Sequence, residues 1–176
     1  MSSISRLKLV LPPPTAGGDF IDGEEVWGPG DTELPHDYKS FVAIYGGGEI
    51  DEYVAVLTPP VPGSPYGDLS LDCDHFIPHE EQVDLAAKSP GGVAPRLILF
   101  ASTASGDGVY WLACGEAEEW RVVVWRRQSA YGESRWIFFD GGMIDFILSV
   151  LEGDSEPFSM VGLGEGPHEF TSWRDL

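Results

Sequence analysis

The segment WRVVVWRR at residues 120–127 constrains the fold more than any other stretch of the chain. Successive side chains of a β-strand point to opposite faces of a sheet, so Trp120, Val122 and Val124 share one face. Val123 and Trp125 share the other face. Because both faces carry large apolar groups, the pattern predicts a strand in a sheet that is covered on both sides.

The other predicted elements place this strand among neighbours that follow one another along the chain. Strands are predicted at residues 50–57, 97–101, 108–114 and 136–139, and helices at residues 4–10, 35–45, 79–88 and 141–151, with a further short helix around residues 20–27. Strands that follow one another without crossover helices favour an α+β fold. We therefore expect a single α+β domain with a mixed or largely antiparallel sheet of about five to six strands, flanked by helices. Residues 1–153 are expected to form the domain, and residues 154–176 a C-terminal extension packed on it.

Two of the helices have clear start and stop signals. Pro35 fits the first turn of the helix at 35–45, where its missing N–H costs nothing, and the glycines at 46–48 suit a helix end. Asp140 is the expected N-cap of the helix at 141–151, and Gly153 is its expected stop. The glycines at 46–48 do not indicate a phosphate-binding loop, because such loops lie at helix N-termini.

The balance of charge narrows the classes of partner. The chain has 29 acidic residues against 10 basic ones, a formal net charge of −19. Binding to nucleic acid or to an anionic membrane surface needs clustered Lys and Arg, so neither partner is expected. No Lys or Arg occurs between Lys39 and Lys88, or between Arg135 and Arg174. The molecule is therefore predicted to be electrically polarised, and its acids either attract a basic protein or only keep the chain soluble.

The cysteines and the N-terminal segment indicate a compartment. The two cysteines, Cys73 and Cys114, have no spacing that demands a disulfide, and Cys114 is expected to be a small buried apolar residue. The first ten residues lack the apolar run of a secretion signal, and no stretch approaches the roughly 18 apolar residues of a membrane span. A cytoplasmic protein with reduced thiols is expected.

One segment contains residue types that bind metal ions. Asp72, Cys73, Asp74 and His75, with His79 nearby, could supply zinc ligands. No second Cys or His pair stands at a recognisable spacing, and Asp-rich loops are usually only solvated. We therefore expect no metal, no cofactor and no catalytic residue, while a metal-dependent enzyme stays open as the third hypothesis for the function.

Four motifs, taken in order, resemble the signature of the SUKH superfamily. They are LPHDYKSF at 34–41 with YGGGEI at 45–50, GDGVYWL at 106–112, EWRVVV at 119–124, and FDGGMIDFI at 139–147. In that family a Leu-Pro-x-Asp-Tyr-x-x-Phe helix runs into a Gly-Gly turn and a strand, and later strands carry Gly-Asp and Trp. The resemblance spans roughly residues 4–153. The family usually has a Trp-Gly element before the Gly-Asp strand, where this chain has Phe100-Ala101-Ser102.

The resemblance implies an α+β domain and, as in many bacterial members, an immunity protein of a polymorphic toxin system. Its expected function is non-enzymatic: it would bind and neutralise a cognate toxin, such as a basic nuclease, through an acidic surface. The acids expected to supply that surface are Glu49, Asp51, Glu52, Asp72 and Asp74. The alternative is a regulatory protein-interaction module of the same fold without a toxin partner. The oligomeric state is left open.

Overall fold

The computed structural model describes residues 2–21, 34–69, 78–92, 96–159, 163 and 166–176. Within them the helices are α1 (Ser3–Val10), α2 (His36–Tyr45), α3 (His79–Lys88) and α4 (Met143–Leu151). The strands are β1 (Gly48–Ile50), β2 (Val54–Val56), β3 (Arg96–Thr103), β4 (Gly108–Ala113), β5 (Arg121–Trp125), β6 (Trp136–Phe139) and β7 (Phe170–Ser172). Single 3-10 turns lie at Pro90–Gly92, Ala117–Glu119 and Trp173–Asp175.

The described strands form one sheet in the order β6-β5-β4-β3-β2-β1-β7, and every neighbouring pair is antiparallel. The predicted α+β class is confirmed, and the described part of the sheet has seven strands where five to six were expected. One additional strand is β7, which the C-terminal segment adds beside β1.

The other additional strand arises because the prediction of one continuous strand over residues 50–57 is wrong. The chain turns back at residues 51–53, so that β1 and β2 form a hairpin. Asp51 and Glu52 have φ values of 51° and 53° in this turn. A continuous strand requires negative φ, and the alternating pattern of residues 50–57 did not reveal the reversal.

Helices α1, α2 and α4 cover one face of the sheet, called here the helix-covered face. Tyr38 of α2 meets the fully buried Trp111 of β4 edge to face, with ring centroids 4.9 Å apart. Phe146 of α4 packs in the same way on Phe139 of β6, at 5.5 Å. Most of the buried apolar side chains among the described residues lie on this face. Fully burying each large one stabilises the fold by roughly 1.5–3 kcal/mol.

Helix α3 covers part of the opposite face. Leu85 packs there with apolar side chains of β3 to β6, and the Trp136 indole N–H donates to the Glu81 carbonyl oxygen at 2.9 Å. Val122 and Val124 of β5 lie in the core of the helix-covered face, whereas Val123 lies under α3. The prediction that β5 is covered on both sides is confirmed.

Two local predictions are wrong, and one lies outside the described residues. Helix α4 begins at Met143, and Asp140 pairs with Arg121 instead of capping the helix. Cys114 is exposed because β4 ends one residue before it. The short helix predicted around residues 20–27 falls, from residue 22 onward, outside the described residues.

Among the helices that the structure describes, none has the length and apolar character needed to cross a membrane.

Candidate functional site

The β1–β2 turn projects acidic side chains from one end of the sheet. Tyr53 N donates to the Ile50 carbonyl oxygen at 3.0 Å and closes the turn, with Asp51 and Glu52 at its corner. Positive φ is uncommon for residues other than glycine, although Asp adopts it more readily than most. The side chain of Glu52 is exposed at the tip.

Contacts from the C-terminal segment hold Asp51 in this conformation. Its Oδ1 accepts from Glu169 N at 2.8 Å, and its Oδ2 lies 2.7 Å from Nδ1 of the buried His168. The Nε2 atom of the same imidazole lies 2.9 Å from the Leu151 carbonyl oxygen at the end of α4. The turn, the segment before β7 and the C-terminus of α4 therefore meet at one place.

Further acids join Asp51 and Glu52 there. Glu152 and Asp154 follow α4 directly, and Glu169 precedes β7. We call Asp51, Glu52, Glu152, Asp154 and Glu169 the acidic rim. The negative end of the α4 dipole adds to its potential.

Only part of the acidic rim has partners among the neighbouring side chains. Arg6 of α1 pairs with Glu152 at 2.6 Å, and His168 contacts Asp51. Glu52, Asp154 and Glu169 are exposed, and no basic side chain in the described part of the chain pairs with them. These three carboxylates therefore face water.

The structure describes three of the five predicted site residues. Asp51 and Glu52 stand together in the rim. Glu49 lies on the face of β1 opposite to Ile50, and its Oε1 accepts from the Tyr66 hydroxyl at 2.7 Å. Burial and this carboxylate together raise the pKa of Tyr66. Asp72 and Asp74 lie outside the described residues. That these five acids contact a partner stays a prediction.

Sequence reasoning missed Glu152, Asp154 and Glu169 as members of this surface. All three lie between Arg135 and Arg174, the second interval without a Lys or Arg. The interval was a signal for them, but only the contacts among α4, β7 and the β1–β2 turn bring them beside Asp51.

Three other carboxylates bind groups inside the fold, with Asp19 and Asp107 buried and Asp37 half-buried, and they have a different role. Asp37, in the first turn of α2, accepts at Oδ2 from Ile144 N at 3.2 Å and so binds the N-terminus of α4. Helix α4 has Gly142 at its N-cap and no side-chain cap of its own, and a side chain at Gly142 would collide with Asp37. Burial raises the pKa of Asp37 above its ordinary value, although its backbone hydrogen bonds oppose the shift.

Asp107 holds the β3–β4 turn to two other parts of the chain. Its Oδ1 accepts from Arg127 N at 2.9 Å and from the Ser159 hydroxyl, and its Oδ2 accepts from Ser159 N at 2.8 Å. Only 1% of its surface is exposed. This buried carboxylate therefore has the donors that burial of a charge requires.

Asp19 connects the N-terminal segment to the start of β1 and to the end of β7. Its carboxylate accepts from Gly47 N at 2.8 Å and from the Trp173 indole N–H at 3.0 Å, and it pairs with Arg174 at 2.7 Å. Asp19 is almost completely buried, and these contacts replace the hydration that its burial removes.

Two of the interior acids belong to the motifs that carried the resemblance. Asp37 is the acid of LPHDYKSF, and Asp107 is the acid of GDGVYWL. A model of the SMI1/KNR4 family (SUKH-1) matches residues 24–154. The chain belongs to this family. No curated protein and no solved structure gives a significant match.

The chain differs from the usual SUKH pattern at the segment before the Gly-Asp strand. Phe100 stands where the family usually has its Trp-Gly element, and its ring stacks on Trp111 with centroids 4.3 Å apart. A register shift between Leu99 and Ala101 places Phe100 and Ala101 together in the core of the helix-covered face. In this chain Phe100 thus supplies an aromatic contact to Trp111 in the core.

The acidic rim crosses the boundary of the SUKH-1 match, because Glu169 and β7 follow residue 154. In the described part of the chain, no group of three or more His, Cys, Asp or Glu side chains could hold a metal ion. The segment from Asp72 to His75 lies outside that part, and His79 begins α3 on the surface. The described acidic rim is therefore a negatively charged surface that could attract a basic partner.

Proposed function

We propose that this SUKH-1 protein is a non-enzymatic immunity protein that binds and neutralises a cognate toxin through its acidic rim. Family membership supports the class of function, since SUKH proteins are commonly immunity proteins. The observation that carries the choice of surface is the convergence of three exposed carboxylates at one end of the sheet, Glu52, Asp154 and Glu169, with which no basic side chain among the described residues pairs.

Electrostatics explains why such a surface suits a toxin that acts on nucleic acid. A nuclease binds phosphates through a basic cleft, and an acidic surface of matching size is attracted to that cleft. Complementary charge raises association rates by about 10- to 1,000-fold at low ionic strength. An inhibitor that must reach a toxin before the toxin reaches its substrate benefits from this acceleration.

The first experiment tests the function itself. The chain is co-expressed with the product of the adjacent gene, purified, and assayed for protection of cells that produce that toxin. A stable complex and survival of the cells are expected. If neither occurs, the immunity function is wrong, and the regulatory module without a toxin partner becomes the better hypothesis.

A second experiment tests the surface. Reversal of charge at Glu52, Asp154 and Glu169 to Lys should slow association with the toxin at least about tenfold at low salt, and the difference should shrink at high salt. The matched control reverses three exposed acids at the other end of the strands, Asp68, Glu116 and Glu119. Both variants change the net charge equally. Equal association rates for the two would refute the assignment of the rim.

A further inference from the structure

The end of the sheet that carries the acidic rim also carries a basic segment. Residues 126–135 join β5 to β6 at the same end as the β1–β2 turn, because Trp125 pairs with Gly108 and Val54 pairs with Thr103. This β5–β6 loop contains three of the ten Lys and Arg residues of the chain, Arg126, Arg127 and Arg135, against one acid, Glu133. The end of the sheet is therefore divided into an acidic and a basic part.

The charges of this loop are only partly neutralised. Arg135 lies 3.4 Å from a carboxylate oxygen of Glu81 on α3. The guanidinium of Arg126 donates to two backbone carbonyl oxygens, of Pro157 at 2.8 Å and of Glu156 at 3.1 Å. Within the described residues, no carboxylate pairs with Arg127, which is exposed. Two positive charges, those of Arg126 and Arg127, thus stand at the same end of the sheet as the acidic rim, with β4 and β3 between them and the β1–β2 turn.

A fully exposed aromatic ring marks the tip of the loop. Ala130 to Glu133 form a β-turn, in which Glu133 N donates to the Ala130 carbonyl oxygen at 3.0 Å. Gly132 has the positive φ of 84° that glycine readily adopts at such a position. Tyr131 stands at the corner, and its side chain is as exposed as in an isolated residue, at 107%. Burial in a partner would remove this apolar surface from water.

The base of the loop is held to the body of the protein. Arg127 N donates to Asp107, Gln128 N donates to the Ser159 hydroxyl at 3.2 Å, and that hydroxyl lies 3.0 Å from the Gln128 carbonyl oxygen. A loop that is already ordered loses less conformational entropy on binding. Tyrosine and arginine, with tryptophan, are also the side chains that are enriched among the energetic anchors of interfaces.

From these observations we propose that the β5–β6 loop is a second contact site for the toxin: Tyr131 inserts into an apolar pocket, and Arg126 and Arg127 bind carboxylates beside it. This inference rests on the proposed function. It specifies a partner that presents an acidic group and an apolar pocket next to its basic patch. A uniformly basic surface would be repelled by the loop, so the two charges fix the orientation of the complex.

The test uses the full chain and the toxin encoded by the adjacent gene. Tyr131→Ala and Arg127→Glu should each raise the dissociation rate at least about tenfold, as loss of an interface anchor does. Phe20→Ala is the control for loss of an exposed ring, since Phe20 is 85% exposed and follows Asp19 near the opposite end of β1. Arg96→Glu, at the end of β3 opposite the β1–β2 turn, is the control for the charge change. Both controls should dissociate like the wild type.

Hydrogen exchange of the complex separates this inference from the proposed function. Protection of the amides of residues 128–134, together with those of residues 51–53, supports both contact sites. Protection confined to the acidic rim, with wild-type dissociation of Tyr131→Ala and Arg127→Glu, overturns the second site and leaves the immunity function intact. If the wild-type chain forms no complex at all, both proposals are wrong.

Discussion

Carboxylates have opposite roles in the interior of this molecule and at its acidic rim. Asp19, Asp37 and Asp107 each accept hydrogen bonds from backbone N–H groups of segments distant in the chain. Glu52 and Glu169 are exposed, and no backbone N–H in the described part of the chain donates to their carboxylates. The two groups are chemically alike, so their roles follow from the donors around them and not from a count of acids.

The difference has an energetic basis. A buried carboxylate is stable only when hydrogen bonds or opposite charges replace its hydration, and then it connects the elements that supply the donors. Exposed like charges repel one another and oppose folding slightly. Substitution in the interior should therefore lower stability, and substitution at the rim should alter binding with little effect on stability.

The largest loss is expected for Asp19→Ala. It would leave the amide of Gly47 and the indole of Trp173 without their acceptor and would remove the partner of Arg174, which is itself about a third exposed. We expect the free energy of unfolding to fall by about 3 kcal/mol, measured by urea denaturation. The exposed neighbour Asp175 is the control, and Asp175→Ala should change stability by less than about 0.5 kcal/mol. Equal effects of the two would contradict an anchoring role for Asp19.

A smaller loss is expected for Asp107→Ala, because two of its three donors come from Ser159, which is only half-buried and can gain water. The free energy of unfolding should fall by about 2 kcal/mol in the same measurement. Ser159→Ala removes the hydroxyl donor and keeps the amide donor, so it should cost about half as much. A larger loss for Ser159→Ala than for Asp107→Ala would show that Asp107 is not the centre of this network.

Asp37→Ala should cost about 1 kcal/mol, the usual cost of removing a helix N-cap. Asp37→Asn keeps an acceptor and removes only the charge, which permits a test of the raised pKa. Because folding raises this pKa above its ordinary value of 3.8, the group binds its proton more tightly in the folded state. The stability that it adds is complete below that value and is lost as the pH rises through the raised pKa.

Urea denaturation of the wild type and of Asp37→Asn across acidic to neutral pH measures this effect. The free energy of unfolding of the wild type, relative to the variant, should decline as the pH rises above 3.8. A difference that grows with pH over that range would mean that the hydrogen bonds from Ile144 and Tyr38 outweigh burial at this site.

Prediction from the sequence succeeded where the signals are local. Helix α3 and strand β6 have the predicted bounds, since proline precedes the helix and apolar residues fill the strand. The β1–β2 turn was missed because neither Asp51 nor Glu52 is a glycine. The contact that holds the turn comes from His168, 117 residues away. Asp140 was mistaken for a cap because Asp37, from another helix, occupies that role.

For the candidate site, too, the sequence revealed local features but not the contacts between distant segments. The intervals without Lys and Arg identified acidic segments, and the charge of −19 excluded nucleic acid as the expected partner. They did not show which acids converge, because that depends on how α4, β7 and the β1–β2 turn meet. Nor did they show that Glu49 points to the other face of β1, where it binds Tyr66.

The smallest change in stability is expected at the rim itself. Reversal of Glu52, Asp154 and Glu169 to Lys should change the free energy of unfolding by less than about 0.5 kcal/mol, because these side chains are exposed and have no described partner to lose. Any change should be an increase that fades with added salt, since the reversal relieves repulsion in a chain of charge −19. A loss comparable to that of Asp19→Ala would place the rim among the structural carboxylates and remove the basis for treating it as a binding surface.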